Sequence, residues 1–217
     1  MIKRVRWTWV ALFCLVFMGC YPYQGRYIFS LTEVELPIDS SERYSDVSIV
    51  KLEGDKYQFE DSLVLFKWHV LRDRFAFSLT NKTDNSMKIV WDEASYIDAN
   101  GSSHRVMHSG VKYNDRNLSQ PPTIVARRAS IEDQVVPTNN VEWFAMGQYS
   151  KWIVLPLIQT HAASSAAELE SLMSPNLGKV LHVLLPIEIK GEVNEYLFRF
   201  EVTNFRNAEG NGWSGYD

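Results

Sequence analysis

Residues 181–202, LHVLLPIEIKGEVNEYLFRFEV, decide the fold class because apolar side chains recur there at every second position. A period of two is typical of a β-strand that buries one face. Gly191 interrupts the pattern near its midpoint, where a tight turn is expected. The positions that share the buried faces are Leu181, Val183, Leu185, Ile187 and Ile189, then Tyr196, Phe198, Phe200 and Val202. The stretch predicts an antiparallel hairpin with a wholly apolar face.

The same alternation occurs in the first half of the chain. Segment 62–71 and the segment after it each place their large apolar side chains on one face, and 81–86 (NKTDNS) supplies a turn between this pair and the next strand. Asn100-Gly101 is a strong hairpin signal between segments 96–99 and 104–111. The inward positions are Val64, Phe66, Trp68 and Val70, then Phe75, Phe77 and Leu79, then Met87, Ile89 and Trp91.

Shorter segments complete the set of predicted strands. In 27–36 the phase of the alternation slips near Thr32-Glu33, which predicts a bulge or a break between two strands. Further strands are expected at 47–52, 124–126, 131–136 and 141–146, and 152–158 is apolar throughout and is expected to be buried.

One short helix is expected near residue 165. Ser165 and Glu168 have the spacing of a capping box, in which each side chain binds a backbone N–H of the other residue. Leu169, Leu172 and Met173 would share one helix face, and Pro175 would end the helix.

Many short strands, closely spaced turns and one short helix predict an all-β fold, an antiparallel β-sandwich of immunoglobulin-like architecture. A small closed barrel is the alternative. The domain is expected to cover residues 27–206, and the Gly- and Asn-rich residues 207–217 are expected to form a flexible tail.

The N-terminus has the composition of a secretory signal. Lys3, Arg4 and Arg6 precede a nearly unbroken apolar run, 7–18, which ends at Gly19-Cys20. The run is too short to span a bilayer, because a transmembrane helix needs about 20 apolar residues.

Residues 17–20 (FMGC) resemble the lipobox of bacterial lipoproteins, with Gly19 and Cys20 matching and Phe17 and Met18 departing from the usual Leu and small residue. The resemblance implies a signal peptide at 1–19, a lipidated Cys20 with a short spacer over 20–26, and a membrane anchor formed by acyl chains such as palmitate. Tyr21, rather than Asp, follows the cysteine, which by the same resemblance implies the outer membrane, with the domain facing the periplasm. The domain then resembles immunoglobulin-like envelope lipoproteins.

Composition limits the class of partner. The leader holds three of the 22 Lys and Arg residues and none of the 26 acidic residues, so the chain without it has a formal charge of −7. An acidic domain without a basic stripe does not suit nucleic acid. Without Cys14, Cys20 has no cysteine with which to form an intramolecular disulfide, so the fold must depend on its core.

The sequence contains no motif of known catalytic mechanism. GxSxG, HExxH and GxxxxGK are absent, and no GxGxxG directly follows a predicted strand, so the protein is predicted not to be an enzyme and to use no cofactor. A binding or structural accessory of the cell envelope, with another envelope protein as a partner, is the function expected. A lipoprotein that binds a small ligand or a metal is the alternative.

The candidate binding surface lies around the middle hairpin and the long loop 113–123 (YNDRNLSQPPT). Its residues are Asp92, Asp98, His104, His108, Tyr113 and Arg116. On a strand, His104 and His108 would lie about 13 Å apart on one face, too far apart for one metal ion. The simpler interpretation is that the histidines, like His69 and His182, are solvated and that the aspartates only form turns.

Overall fold

The computed structural model describes residues 23–36 and 47–208. The predicted leader 1–19, Cys20 and the tail beyond Ala208 lie outside the described residues. The strands are β1 (Tyr23–Glu35), β2 (Ser48–Lys51), β3 (Lys56–Glu60), β4 (Val64–Val70), β5 (Phe75–Asn81), β6 (Met87–Ile89), β7 (Ser95–Ile97), β8 (Ser103–Met107), β9 (Thr123–Val125), β10 (Ser130–Pro137), β11 (Val141–Phe144), β12 (Lys151–Val154), β13 (Ala162–Ala163), β14 (Val180–Ile189) and β15 (Glu192–Asn207), and the α-helix is α1 (Ala166–Met173).

Thirteen of these strands form one antiparallel sheet that curls until its two halves pack face to face. Neighbouring strands follow the order β13-β1-β15-β14-β7-β8-β10-β5-β4-β3-β2, and β6 and β9 extend from β14. β11 and β12 form a separate two-stranded ribbon. The predicted class, an all-β antiparallel sandwich with one short helix, is confirmed, with both layers supplied by one sheet.

Aromatic side chains fill the space between the two layers. Phe66 and Trp68 of β4 meet Phe198 of β15 at ring-centroid distances of 4.9 and 4.7 Å. Phe200 contacts Trp68 and Phe75 at 5.4 and 5.0 Å. The rings are tilted or edge-to-face, as aromatic pairs prefer. The alternation predicted for these strands is confirmed, because each inward residue is buried.

The hairpin of β14 and β15 pairs ten residues on each side, from Val180↔Glu201 to Ile189↔Glu192. Its two-residue turn has positive φ at Lys190 (53°) and Gly191 (84°), the conformation of a type I′ turn. Pro186 lies where the outer neighbour of β14 changes from β7 to β6. Proline has no N–H to donate, so it suits the gap between two partner strands.

The first strand is longer than expected. Its pairing with β15 shifts register between Leu31 and Glu33, which confirms the predicted irregularity as a bulge within one strand. Residues 23–26, expected in the spacer, belong to β1, which begins at Tyr23. Asn207, expected in the tail, ends β15 and pairs with Gly25.

The helix begins as predicted, with the Ser165 hydroxyl accepting a hydrogen bond from Glu168 N. The reciprocal bond differs, because the Glu168 carboxylate binds Ser164 N at 2.8 Å rather than Ser165. Leu169 and Met173 are buried, whereas Leu172 is exposed. The predicted three-residue apolar face is therefore reduced to two residues.

The expectation that 152–158 is buried was largely wrong. Leu157 and Ile158 are buried, but Trp152 to Pro156 are only partly covered. Most of this part belongs to β12, and a two-stranded ribbon that stands outside the main sheet can cover only one of its faces.

Candidate interaction surface

Asp92 fixes the long loop 113–123 to the body of the domain. Its carboxylate accepts hydrogen bonds from the Ser119 hydroxyl, from Gln120 N at 3.0 Å and from Arg105 Nη2 at 2.9 Å. The bond from Ser119, followed by that from Gln120, lowers the pKa of Asp92. Arg105 also donates to Leu118 O at 3.1 Å. Asp92 therefore acts as a clamp that holds the loop. The simpler interpretation, that this aspartate only forms a turn, does not describe this role.

His108 is half-buried beneath this loop rather than solvated, contrary to the simpler expectation. β8 ends at Met107, and the imidazole stacks on the Trp91 ring with a centroid distance of 4.5 Å and an interplanar angle of 4°. His108 Nδ1 lies 3.4 Å from Asp133 Oδ2. Burial raises the pKa of Asp133, but the nearby His108 imidazole and hydrogen bonds from two backbone amides outweigh it, so the pKa is lowered overall.

His104 is also paired. Its Nε2 lies 3.0 Å from Asp98 Oδ2, and its ring lies 6.1 Å from that of Tyr96. The other oxygen of Asp98 accepts hydrogen bonds from Asn100 N and Ser102 N. Burial opposes these bonds, which nevertheless lower the pKa of Asp98 overall. Asp98 therefore closes the hairpin turn, as the simpler interpretation supposed, and also holds His104.

The two histidines thus belong to different carboxylates, His104 to Asp98 and His108 to Asp133. Among residues 23–36 and 47–208, no three His, Cys, Asp or Glu side chains are placed to hold one metal ion. Asp98 also lines a shallow cleft of about 230 Å³, whose other walls include Asn139, Asn176 and Lys179. Pockets for small organic ligands are typically about 300–1,000 Å³, so this cleft is small for such a ligand.

Tyr113 and Arg116 contact the β11–β12 ribbon instead of the hairpin. Tyr113 lies 6.1 Å from Trp152, measured between ring centroids, and Arg116 Cζ lies 4.9 Å from the centre of the Trp152 ring. Arg116 Nη1 also donates to Tyr113 O at 2.8 Å. A guanidinium over an indole face is a cation–π contact. The loop and the ribbon therefore form one continuous surface.

The ribbon leaves the body of the domain as it extends. Val141 at its base is 3% exposed and packs with Met107 and Val136. Trp143, two residues further on the same face, is 53% exposed and packs edge-to-face on Trp152 at 5.5 Å. The base of the ribbon is therefore embedded, and its outer half protrudes.

The ribbon tip carries large apolar side chains in contact with solvent. They are Trp143 and Phe144 on β11 and Met146 and Tyr149 in the connection to β12. Tyr149 is 68% and Met146 58% exposed. The sequence predicted a strand at 141–146 but did not single out these residues. Only the protrusion of the ribbon distinguishes them from core residues of the same type.

The six predicted site residues thus fall in three places. Asp92 and His108 lie at the loop base, Asp98 and His104 at the hairpin turn, and Tyr113 and Arg116 beside the ribbon. Among the described residues, none of the helices has the length and hydropathy that a membrane span requires. Comparison of the chain with protein-family models, curated proteins and solved structures finds no match in any of the three.

Proposed function

We propose that the chain is an outer-membrane lipoprotein whose non-catalytic β-sandwich acts as a binding accessory in the cell envelope. Residues 1–19 are its signal peptide, and Cys20 carries the acyl chains that hold it on the periplasmic side of the membrane. The observation that carries the binding role is the ribbon tip, where Trp143, Phe144, Met146 and Tyr149 are exposed together.

Two properties of the tip support contact with another envelope component. Aromatic side chains and Met are enriched where proteins bind, and Trp and Tyr often dominate the binding energy. The supporting surface is also ordered, since Arg116 stacks on Trp152 and Asp92 clamps the loop behind it. Pre-ordered contact residues lose less conformational entropy on binding.

The anchor is tested by mass spectrometry of the protein purified from a Gram-negative envelope. An N-terminal peptide that begins at an acylated Cys20, in the outer-membrane fraction, is the expected result. A protein that keeps residues 1–19, or begins at a bare thiol, would refute the anchor.

The binding role is tested by placing a photoreactive amino acid at Tyr149 and, as a matched control, at Glu195. Both positions are exposed, but Glu195 lies beside the turn of the β14–β15 hairpin. A cross-linked envelope component at position 149 and none at position 195 is expected. Equal cross-linking at both positions, or none at 149, would contradict binding through the ribbon.

The competing function, a lipoprotein that binds a metal or a small ligand, has weaker support. The polar cleft beside Asp98 is small, and the two histidines are engaged by separate carboxylates. Elemental analysis of the purified protein would reveal a bound metal. A ligand screen in which a hit lost its thermal shift on His104→Gln would revive this alternative.

A further inference from the structure

The ribbon base and the start of β1 lie at the same end of the sandwich. Leu155 N donates to Asn140 O at the ribbon base, and six residues later His161 O accepts from Gly25 N at 2.8 Å. Between them, Leu157 N donates a hydrogen bond to Arg72 O at 2.8 Å, which holds the connection against the β4–β5 turn. Six residues span at most about 20 Å, so this distance bounds the separation of Leu155 from His161.

The proposed anchor is attached at this same end. Only Tyr21 and Pro22 separate Cys20 from Tyr23, where β1 begins, so the three residue steps of this connection reach at most about 10 Å. A membrane that holds acylated Cys20 must therefore lie close to the β1 end of the sandwich. The ribbon base lies at that same end, so the ribbon tip beyond it would lie beside the same membrane surface.

The side chains at the tip suit the interfacial layer of a bilayer. Trp and Tyr are enriched at the boundary between lipid headgroups and acyl chains, because their rings are apolar and their N–H or O–H groups remain hydrated. Phe144 and Met146 add apolar volume. Lys151, Arg116 and Lys112 lie on or beside the ribbon, where their side chains can meet lipid phosphate.

From this arrangement we infer that the ribbon tip inserts into the interfacial layer of a phospholipid bilayer, as a second membrane contact beside the lipid anchor. The inference rests on the proposed function, because the anchor sets the orientation. It names the bilayer itself as the component that the tip binds. Two contacts at one end fix the tilt of the domain, whereas a single flexible tether would leave it free to rotate.

The driving force is apolar rather than electrostatic. The domain without its leader is acidic, with a formal charge of −7, so its net charge does not attract an anionic surface. Removal of apolar surface from water does not depend on charge screening, whereas attraction between exposed charges weakens with salt. Insertion of the tip is therefore expected to persist at high salt.

The cysteine content of the chain makes a direct test practical. The two cysteines are Cys14, in the leader, and Cys20, the acylation site, so a mature lipoprotein offers no other thiol to a spin label. Met146→Cys would place one label at the tip, and Glu195→Cys one label at the opposite end as a matched control. The acylated proteins are reconstituted in vesicles of phosphatidylethanolamine and phosphatidylglycerol.

Electron paramagnetic resonance then compares how a water-soluble nickel complex and dissolved oxygen reach each label. Protection of position 146 from the nickel complex, at low and high salt, is expected together with free access at position 195. The protection should be lost in Phe144→Ser/Tyr149→Ser, two exposed changes that leave the Trp143–Trp152 contact in place. Far-ultraviolet circular dichroism would verify that this variant is folded.

The possible failures are distinguishable. If Cys20 is not acylated, the proposed function fails with the inference. If the acylated protein enters vesicles but position 146 is as accessible as 195, the inference is refuted and the anchor stands. A photoreactive group at position 149 that captures a protein and no lipid would likewise refute insertion, while supporting a protein partner for the accessory.

Discussion

Replacing Tyr196 with Phe should lower the free energy of unfolding by about 1.5–3 kcal/mol, the usual contribution of a hydrogen bond to a charged group. The Tyr196 hydroxyl donates to Asp61 Oδ2 at 2.9 Å, and both residues are fully buried. Leu63 N and Val64 N donate to the other oxygen, Oδ1, at 2.8 and 2.7 Å. Without the hydroxyl, Oδ2 would lose this donor in a site that water does not reach.

Tyr96→Phe is the matched control, because Tyr96 is 1% exposed but lines the cleft beside Asp98 instead of donating to a buried carboxylate. Removal of the Tyr96 hydroxyl should change the free energy of unfolding little, or increase it. Urea denaturation would measure both free energies, and the Tyr196 variant should melt about 4–10 °C lower than the wild type. Equal losses in the two variants would refute the assignment of the energy to the Asp61 bond.

The loss of unfolding free energy caused by Tyr196→Phe should also depend on pH. Burial raises the pKa of Asp61, although amide and tyrosine hydrogen bonds oppose the shift. A raised pKa means that the contribution of Asp61 is fully present below its unfolded pKa and is lost as pH rises through the folded pKa. Tyr196→Phe removes a group that favours the charged form, so its destabilisation should be larger at neutral than at acid pH. An increase on acidification would contradict this.

Three further changes have defined outcomes. Gly25→Ala would place Cβ 2.5 Å from Sδ of the buried Met173, so thermal denaturation should show a loss of about 1–3 kcal/mol. Burial lowers the pKa of His182. Its contribution to folding stability is therefore present above its unfolded pKa and is lost as pH falls through the folded pKa. Because His182→Gln removes this titration, it should reduce the fall in melting temperature on acidification. Arg128→Ala breaks an exposed ion pair with Asp84, and chemical denaturation should detect no change in stability, because solvent screens the two charges.

The strands that sequence analysis predicted best are those whose signal is local. In β4, β5, β14 and β15 the inward positions carry large apolar side chains, except for the buried Asn81 and Asn194. The period of two therefore determines which face is buried. Gly191 marked its turn because the left-handed conformation there (φ 84°) is one that glycine adopts without a steric cost. For these elements, the residue pattern and the tertiary contacts favour the same structure.

The order of the strands could not be predicted in this way. The pairing of β14 with β7 and β6 joins residues about 90 positions apart, and no local pattern encodes it. The same limit applies to the candidate site. Asp92 and Ser119 are 27 residues apart in sequence, and the clamp that they form exists only after the loop has folded back.

The histidines show a second limit of sequence analysis, which is that it does not predict how far a polar side chain is buried. Alternation placed His182 on an outer face, which is where it lies, but did not show that burial would lower its pKa. His108 follows the last residue of β8, so the assumption of a continuing strand was wrong and the 13 Å separation predicted from it has no basis. Whether a polar side chain is solvated depends on what covers the strand.

The ribbon tip differs from the rest of the fold because its large apolar side chains are exposed instead of buried. An isolated two-stranded hairpin is at best marginally stable in water, so β11 and β12 depend on the packing of Val141 and Val154 on the body. That packing does not require Phe144, Met146 or Tyr149, because all three remain in solvent. Exposed apolar clusters favour aggregation unless they are covered in use. The ribbon tip is therefore expected to be covered when the protein functions, and the proposed membrane contact would cover it without a second protein.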